Sequence, residues 1–292
     1  MSDLDAILSD AAARLNLRFG EDGVWRGKCP CCGYSKPTLA LSVLGGGIAI
    51  SCVACGGKSA IAAVAGIPSH LVVPTRCDPA KIARALQIWG WTAPASGTPV
   101  EPYLLGRGIT EPIPPSIRFL RNQRNWSDGK SYAAMVSLVE QVSEDDTSPN
   151  GRWRATGIHL TFLAAADARG RVCKAAVETN KLALGQLRHG GVRLSSRNEV
   201  GQELVVAEGI ETALSVQQLI GLPTVSVLSA SGLKSFRWPT TVRRIWIAAD
   251  NDAAGLQAAE HLRARALRAG IEARIKIPSG GHNDFNDLVK GQ

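Results

Sequence analysis

The sequence predicts an α/β protein in which a parallel sheet forms the last third, behind a cysteine-rich module and a basic α+β segment. Three observations carry this reading. Strand and helix signals alternate from residue 203 onward, two Cys-x-x-Cys pairs stand before residue 60, and an antiparallel pattern rich in arginine and lysine lies between.

Glu203 to Ala207 is a short apolar run, read as a strand that delivers Glu208-Gly209, and Ile210 to Ile220 follows as a helix stopped by Gly221. Arg244 to Ala249 is a second buried strand, running into Asp250-Asn251-Asp252. The next helix carries Leu256, Ala259, Leu262 and Ala266 on one stripe and ends at Gly270; a third strand, Ala273 to Ile277, leads on to Asp284. Strands alternating with helices imply parallel pairing through right-handed crossovers.

In such a sheet the carboxyl ends lie along one edge, so Glu208, Asp250, Asp252, Asp284 and Asp287 are expected to converge on one crevice. Asp250 and Asp252, two apart in extended chain, share a face. Two like charges about 4 Å apart repel by about 4 kcal/mol at an effective dielectric of about 20, so such a cluster needs protons or a cation. Oxygen-only ligands favour magnesium or manganese over zinc. Helix capping competes as the reading of Asp252 alone, but three strand ends each followed by an acid outweigh it for the set. Glu211, one turn into its helix, suits the macrodipole and ranks below Glu208.

The composition, 45% hydrophobic and 20% charged over 292 residues, is that of a soluble globular protein of roughly two or three domains. No stretch approaches a membrane span, and Met1-Ser2-Asp3-Leu4-Asp5 lacks a basic signal region, so a cytoplasmic protein without a membrane partner is expected. The net charge of +8 divides as +3 over residues 1–100, +4 over 101–200 and +1 over 201–292. Basic surface thus precedes the acidic edge, an arrangement suited to holding a polyanion while the last third works on it with metal.

Lys28-Cys29-Pro30-Cys31-Cys32-Gly33 and Ser51-Cys52-Val53-Ala54-Cys55-Gly56 are two knuckles at the spacing of a zinc ribbon. Cys29, Cys32, Cys52 and Cys55 are the expected ligands of one structural zinc; Cys31 falls between knuckle positions, and Cys77 and Cys173 lack partners at metal spacing. Thr38 to Ile50 alternates well enough for a hairpin about Gly45-Gly46-Gly47. Metal binding of about 10–16 kcal/mol would stand in for a core that so small a module barely supplies. Gly56-Gly57-Lys58-Ser59 looks like the tail of a phosphate-binding loop, but Cys52 stands where that motif needs glycine, so no ATPase motor is expected.

In the middle, Ala60 to Pro79 reads as a connection, Lys81 to Trp91 as an amphipathic helix with Ile82, Ala85, Leu86 and Trp89 on one face, and Pro94 to Pro102 as a linker. Ala133 to Val139 and Trp153 to Phe162 read as strands joined by the polar loop Ser143 to Asn150, and Arg171 to Val177 as a third strand. Arg118, Arg121, Arg124, Arg154, Lys174, Lys181, Arg188 and Arg193 lie among Trp126, Trp153 and His159, a mixture suited to phosphates and stacked bases. Lys174, Lys181, Arg188 and Arg193 are the candidate nucleotide- or nucleic-acid-binding residues, since they fall just before the acidic edge near Gly185 and Gly190-Gly191. The expected division is a zinc ribbon over residues 1–65, a linker and helix over 66–100, a basic α+β subdomain over 101–198 and a catalytic domain over 199–292.

These parts together resemble the Toprim primases of phages, plasmids and mobile elements. The resemblance is carried by the four-cysteine ribbon, Tyr103-Leu104-Leu105-Gly106-Arg107-Gly108-Ile109, and Glu208-Gly209-Ile210-Glu211-Thr212-Ala213. Asp250-Asn251-Asp252 before Ala253-Ala254-Gly255, and Asp284-Phe285-Asn286-Asp287-Leu288, complete it. It implies a C-terminal Toprim domain with a Rossmann-like parallel sheet, and template-directed synthesis of short primers on single-stranded DNA from nucleoside triphosphates. It further implies Asp250, Asp252 and Asp284 as ligands of Mg2+ or Mn2+, Glu208 as general base or metal ligand, a Zn2+ ribbon engaging the template, and a separate replicative helicase as partner. Two departures stand out: the ribbon lacks the histidine usual in bacterial replicative primases, and Ile210 and Glu211 replace the tyrosine and methionine common there.

Other readings use the same parts. A Toprim nuclease would use the acidic edge with water as nucleophile, and a recombination mediator would clamp DNA without catalysis. The long segment between ribbon and acidic domain is better explained by a polymerase subdomain. A topoisomerase is disfavoured because Tyr34, Tyr103 and Tyr132 have no evident strand-cleaving domain around them.

Overall fold

The structure, a computed structural model, describes residues 3–31, 37–52, 57–73, 78–143, 153–195 and 201–290. It has two compact units, Met1–Arg76 and Cys77–Gln292.

In the first unit α1 (Asp3–Arg14) packs Leu8, Ala11 and Ala12 into a core shared with a five-stranded sheet. The strands run in the order β1 (Arg18–Phe19), β2 (Trp25–Gly27), β3 (Leu39–Leu44), β4 (Gly47–Cys52) and β5 (Val72–Val73), antiparallel except for the last pair. The expected hairpin is β3–β4. Gly45 and Gly46 take φ of 54° and 80°, the left-handed pair that a two-residue type I′ turn requires. Alternation then faces Leu39 to Cys52 and Leu41 to Ile50 across the ladder, all buried.

The stretch expected to be a connection overlaps α2 (Lys58–Ala65), which buries Ile61, Ala62 and Ala65 and ends on Gly66 at φ 70°. A 3-10 turn, Ser69–Leu71, and β5 follow. The helix was hidden because Ala60-Ile61-Ala62-Ala63-Val64 is apolar on every side, which erases the periodicity that betrays an amphipathic helix.

The second unit opens with α3 (Pro79–Gly90), capped by Asp78, whose Oδ1 accepts from the Ala80 amide at 2.9 Å. Next come β6 (Ala93–Pro94), α4 (Val100–Leu105), β7 (Ile117–Arg124), β8 (Ser131–Val142), β9 (Trp153–Leu163) and β10 (Lys181–Gly185). The sheet order is β10-β9-β8-β7-β6, antiparallel throughout. Strand alternation sends Ala134, Val136, Ile158, Leu160 and Phe162 into the core with Ala85 and Ile88 of α3. Met135, Val139 and Leu163 go to the opposite face, whose core continues into the last domain through Val205, Ala207 and Ile210.

Two expectations for this region fail. Pro94 to Pro102 is not purely a linker, since α4 begins inside it and buries Val100, Tyr103 and Leu104. Arg171 to Val177 is not a strand: it makes one bridge, Lys174 to Leu163, and the strand beside β9 is β10. The reason is visible in its burial. Val172 belongs to the core on one sheet face and Ala175 to the core on the other, so this segment crosses the sheet edge instead of extending it. Most of the expected loop Ser143 to Asn150 lies outside the described residues.

The last sheet comprises β11 (Val192–Arg193), β12 (Glu203–Ala207), β13 (Thr224–Ser226), β14 (Arg244–Ala248) and β15 (Glu272–Lys276), in the order β11-β13-β12-β14-β15. All but β11 are parallel. Its helices are α5 (Ile210–Ile220), α6 (Ala230–Ser235), α7 (Ala253–Arg268) and α8 (Phe285–Lys290). Gly221 ends α5 at φ 66°, as expected. The buried stripe of α7 is Gly255, Ala258, Ala259, Leu262 and Ala266, while Leu256 faces outward. β13 and α6 escaped the sequence reading because three and six residues are too few to show a period.

From β12 the chain crosses first to β13 on one side and then to β14 on the other. The carboxyl end of β12 is therefore a topological switch point, where open α/β sheets leave a crevice. Among the described residues no helix is long and apolar enough to cross a membrane.

Candidate active site

Glu208 stands at that switch point. Its carbonyl accepts from Ser226 Oγ at 2.9 Å and from the Leu228 amide at 2.7 Å, which ties the end of β12 to the turn after β13. Leu228 holds φ 70°, a left-handed conformation unusual for a leucine, just before Ser229 caps α6. Asp250 leaves β14. Asp252 caps α7 through Oδ1, which accepts from the Gly255 amide at 2.7 Å. Gly255 is needed there, because a Cβ would lie 2.7 Å from the Asp250 carbonyl oxygen. The loop after β15 is tied in by the Asn251 amide, which donates to the Asn283 carbonyl at 2.8 Å. Beyond it, Asp284 Oδ1 accepts from the Asp287 amide at 3.0 Å.

The acids share one field. Burial, then the charges of Asp250 and Asp252, push Glu208 up to about 7. Burial, then Asp284 and Asp252, push Asp250 up to about 6. Asp250 Oδ1 is buried and has no hydrogen-bond partner among the described residues. Asp287 is drawn aside, 3.6 Å from Lys290. Among the described residues no three of His, Cys, Asp and Glu close into a metal cage. An open edge still suits magnesium, which takes one or two carboxylates and fills its remaining positions with water and phosphate oxygen. The unpartnered Asp250 oxygen and the raised Glu208 and Asp250 are what a hard cation would relieve, so the donor set fits such an ion.

Beside the acids lies a buried polar cluster. Glu211, only 4% exposed, accepts from Tyr103 Oη at 2.5 Å and from Lys174 Nζ at 2.8 Å on the same Oε1, while Lys181 Nζ is 3.9 Å from Oε2. Burial alone would raise Glu211; Lys181, Lys174 and the two hydrogen bonds overcome it and hold this carboxyl well below the usual range. Burial lowers Lys174 despite its partner, with Lys181 and Arg107 also repelling it. Burial, then Lys181, depress His159 to about 3, so its ring is neutral at ordinary pH. Lys181 also acts electrostatically on Glu208 and Asp250 and links the two clusters.

The four candidate cations part company here. Lys174 and Lys181 reach the site. Arg193 is committed to Glu140, donating from Nε at 2.7 Å, with its guanidinium 5.2 Å over Trp153. Arg188 is exposed, and its carbonyl accepts from Gln141 Nε2 at 2.7 Å. The reading of single residues missed Tyr103, Arg107 and the role of Glu211. Tyr103 and Glu211 are 108 residues apart, and only their place in the two quoted motifs marked them.

In the first unit Gly27, Leu39 and Cys52 form one cross-strand row, so Cys29, two residues beyond Gly27, and Cys52 lie at the same end of the sheet. Both are buried in its core. The Cys31 amide donates to Cys29 Sγ at 3.5 Å, and the Cys52 thiol donates to Thr38 Oγ1 at 3.4 Å. Cys32 and Cys55 lie outside the described residues.

Residues 203–292 match the Toprim domain family, so this chain carries a Toprim domain. Residues 79–194 match a domain of unknown function, DUF7146. No curated protein matches significantly. Among solved structures, the chain is similar to the primase fragment of the bacteriophage T7 primase-helicase protein, at 19% identity and a TM-score of 0.37, over 59% of this chain and 61% of that one. The chain thus spans less than two thirds of that fragment. Similarity to the Aquifex aeolicus primase (zinc binding and RNA polymerase domains) covers 100% of this chain and 82% of that one, at 14% identity and a TM-score of 0.41. A DnaG primase catalytic domain bound to single-stranded DNA is similar over 73% of this chain and 70% of that one, at 16% identity and a TM-score of 0.37.

Proposed function

We propose that this chain is a DNA primase that joins nucleoside triphosphates into short primers on single-stranded DNA. The single observation that carries this reading is Lys181, held by Glu211 and acting on Glu208 and Asp250. A lysine of the DUF7146 region that influences the acids of the Toprim domain supports nucleotidyl transfer, which needs cations for phosphate beside metal-binding carboxylates, over a mere clamp, which does not.

Asp250, Asp252 and Asp284 would hold Mg2+ or Mn2+, which when bound neutralises charge developing on the transferring phosphoryl group. Glu208, at the end of β12 beside these acids, would take the proton of a primer 3′ hydroxyl as general base. Lys181 and Lys174 would hold phosphate oxygens against this edge. Buried Cys29 and Cys52 with Cys32 and Cys55 would hold one structural Zn2+, in a unit that engages the template. The T7 protein is named a primase-helicase, and a replicative helicase is the proposed partner here.

The test incubates protein with single-stranded DNA, labelled nucleotides and magnesium or manganese. Short products are expected, and they should vanish with Asp250→Asn or Glu208→Gln. Metal-dependent cleavage in place of synthesis would make this a Toprim nuclease. DNA binding with neither reaction would make it a clamp.

A further inference from the structure

We infer that Glu211 is a positioning residue whose carboxylate anchors Lys174 and Lys181 beside the acid edge, so that Lys181 presents its ammonium to an anionic substrate there. Only the nature of that substrate, a nucleoside triphosphate, rests on the primase reading. The anchor rests on geometry.

Glu211 lies one turn after Glu208 on α5, yet its carboxylate serves a different set of partners. Oε1 takes the Tyr103 hydroxyl and the Lys174 ammonium, and Oε2 faces Lys181. At 4% exposure this carboxylate has its oxygens engaged by protein donors, which leaves it as an anchor and not as a ligand of the metal proposed at Asp250. Its partners need one. Lys174 sits on a segment with a single β-bridge, and Lys181 is the first residue of β10, 42% exposed at its side chain. A free lysine side chain is spread over many rotamers, so an unanchored ammonium would spend little time at the crevice. Two lysines against one carboxylate also leave positive charge uncompensated, and Arg107 adds to the field at Lys174. Lys181, the more exposed lysine and the one that acts on Glu208 and Asp250, is the group that meets the phosphate.

The experiment compares the full chain with Glu211→Gln and Tyr103→Phe by acylating amines with acetic anhydride at neutral pH and quantifying each modified lysine by peptide mass spectrometry. Glu211→Gln should raise labelling of Lys174 and Lys181 about tenfold, as free amine becomes accessible when an ammonium loses its carboxylate partner, with other lysines unchanged. Tyr103→Phe should raise the same two sites by a smaller factor, and it carries the test if Glu211→Gln does not fold. Unchanged labelling of both lysines in a folded variant overturns the anchor. In the primer assay Glu211→Gln should raise KM for the nucleoside triphosphate at least about tenfold with a smaller change in kcat, since uniform ground-state binding is what is lost. A fall in kcat at constant KM overturns the positioning role. If the unsubstituted protein makes no primers, the function proposed above falls while the labelling still decides the anchor.

Discussion

Tyr103 donates a 2.5 Å hydrogen bond to Glu211 Oε1 across 108 residues of chain, on the same oxygen that Lys174 meets at 2.8 Å. The pair ties the DUF7146 region to the first helix of the Toprim domain through a buried charge. Breaking such a pair from one side costs more than removing both partners, because a charge is left buried. Glu211→Leu should therefore destabilise the chain by about 3–5 kcal/mol, and Lys174→Met combined with Glu211→Leu should recover most of that. Urea unfolding of the two single variants and the double variant measures it. A double variant as unstable as the sum of the singles would show that the pair does not couple.

The acid edge makes a prediction of opposite sign for pH. Burial and mutual repulsion raise Glu208 from 4.5 to about 7 and Asp250 from 3.8 to about 6. Between about pH 4 and 7 the folded protein keeps protons that the unfolded chain releases, so stability falls as pH rises through that window. In chelator at pH 8, Asp250→Asn should be more stable than the unsubstituted protein by on the order of 1–3 kcal/mol. It should also show a flatter pH profile in thermal unfolding. Magnesium should narrow the difference, because the cation neutralises the same charges. If Asp250→Asn melts lower at pH 8 without metal, the acids do not repel as described. Glu211 runs the other way: held below the usual carboxyl range, it lends stability above pH of about 4.5 that is lost on acidification.

Much of the acidic edge was legible because parallel α/β order converts distant strand ends into neighbours. Glu208 and Asp250 needed only a strand and a following acid to be placed. The partners of Glu211 were not legible, since nothing local to Ile210-Glu211-Thr212 signals a tyrosine supplied by α4. Lys174 was singled out by its position before the acids, but the strand assigned around it was wrong, because alternating residues of an edge-crossing segment mimic a strand. Arg193 shows the converse failure. Its charge is spent on Glu140, and sequence spacing does not reveal which arginines are already paired. β3–β4 was read well because the Gly45-Gly46 turn is a local signal, whereas α2 was lost to its uniform apolarity.

Gly108 is predicted to be a latch. It sits at φ 75°, and a Cβ would lie 2.6 Å from the Val289 carbonyl oxygen of α8. Beside it Asn286 Nδ2 donates to the Arg107 carbonyl at 2.7 Å, and Gln218 Nε2 donates to the Gly108 carbonyl at 3.0 Å. Gly108→Ala should cost about 1–3 kcal/mol from backbone strain alone, and more from the clash with α8. Gly97→Ala is the control, since Gly97 has φ 71° with nothing among the described residues within 4 Å of the added Cβ. Thermal unfolding should rank Gly108→Ala well below Gly97→Ala, and equal melting would remove the latch.

The first unit yields the last prediction. Cys29 and Cys52 are buried at one end of its sheet, and the chain continues from each into a second cysteine three residues on. Each is the first cysteine of a knuckle, and four such sulfurs make a closed tetrahedral zinc site. Purified protein should contain about one zinc per chain, and Cys52→Ser should lose it. A small core held by a metal loosens when the metal leaves, so on this reading chelation should expose the first unit to protease between its strands while the Toprim domain stays resistant. Metal analysis and limited proteolysis read both effects. Zinc-free protein with an equally resistant first unit would mean that this core stands on α1, α2 and the β3–β4 hairpin alone, with the cysteines as ordinary buried thiols.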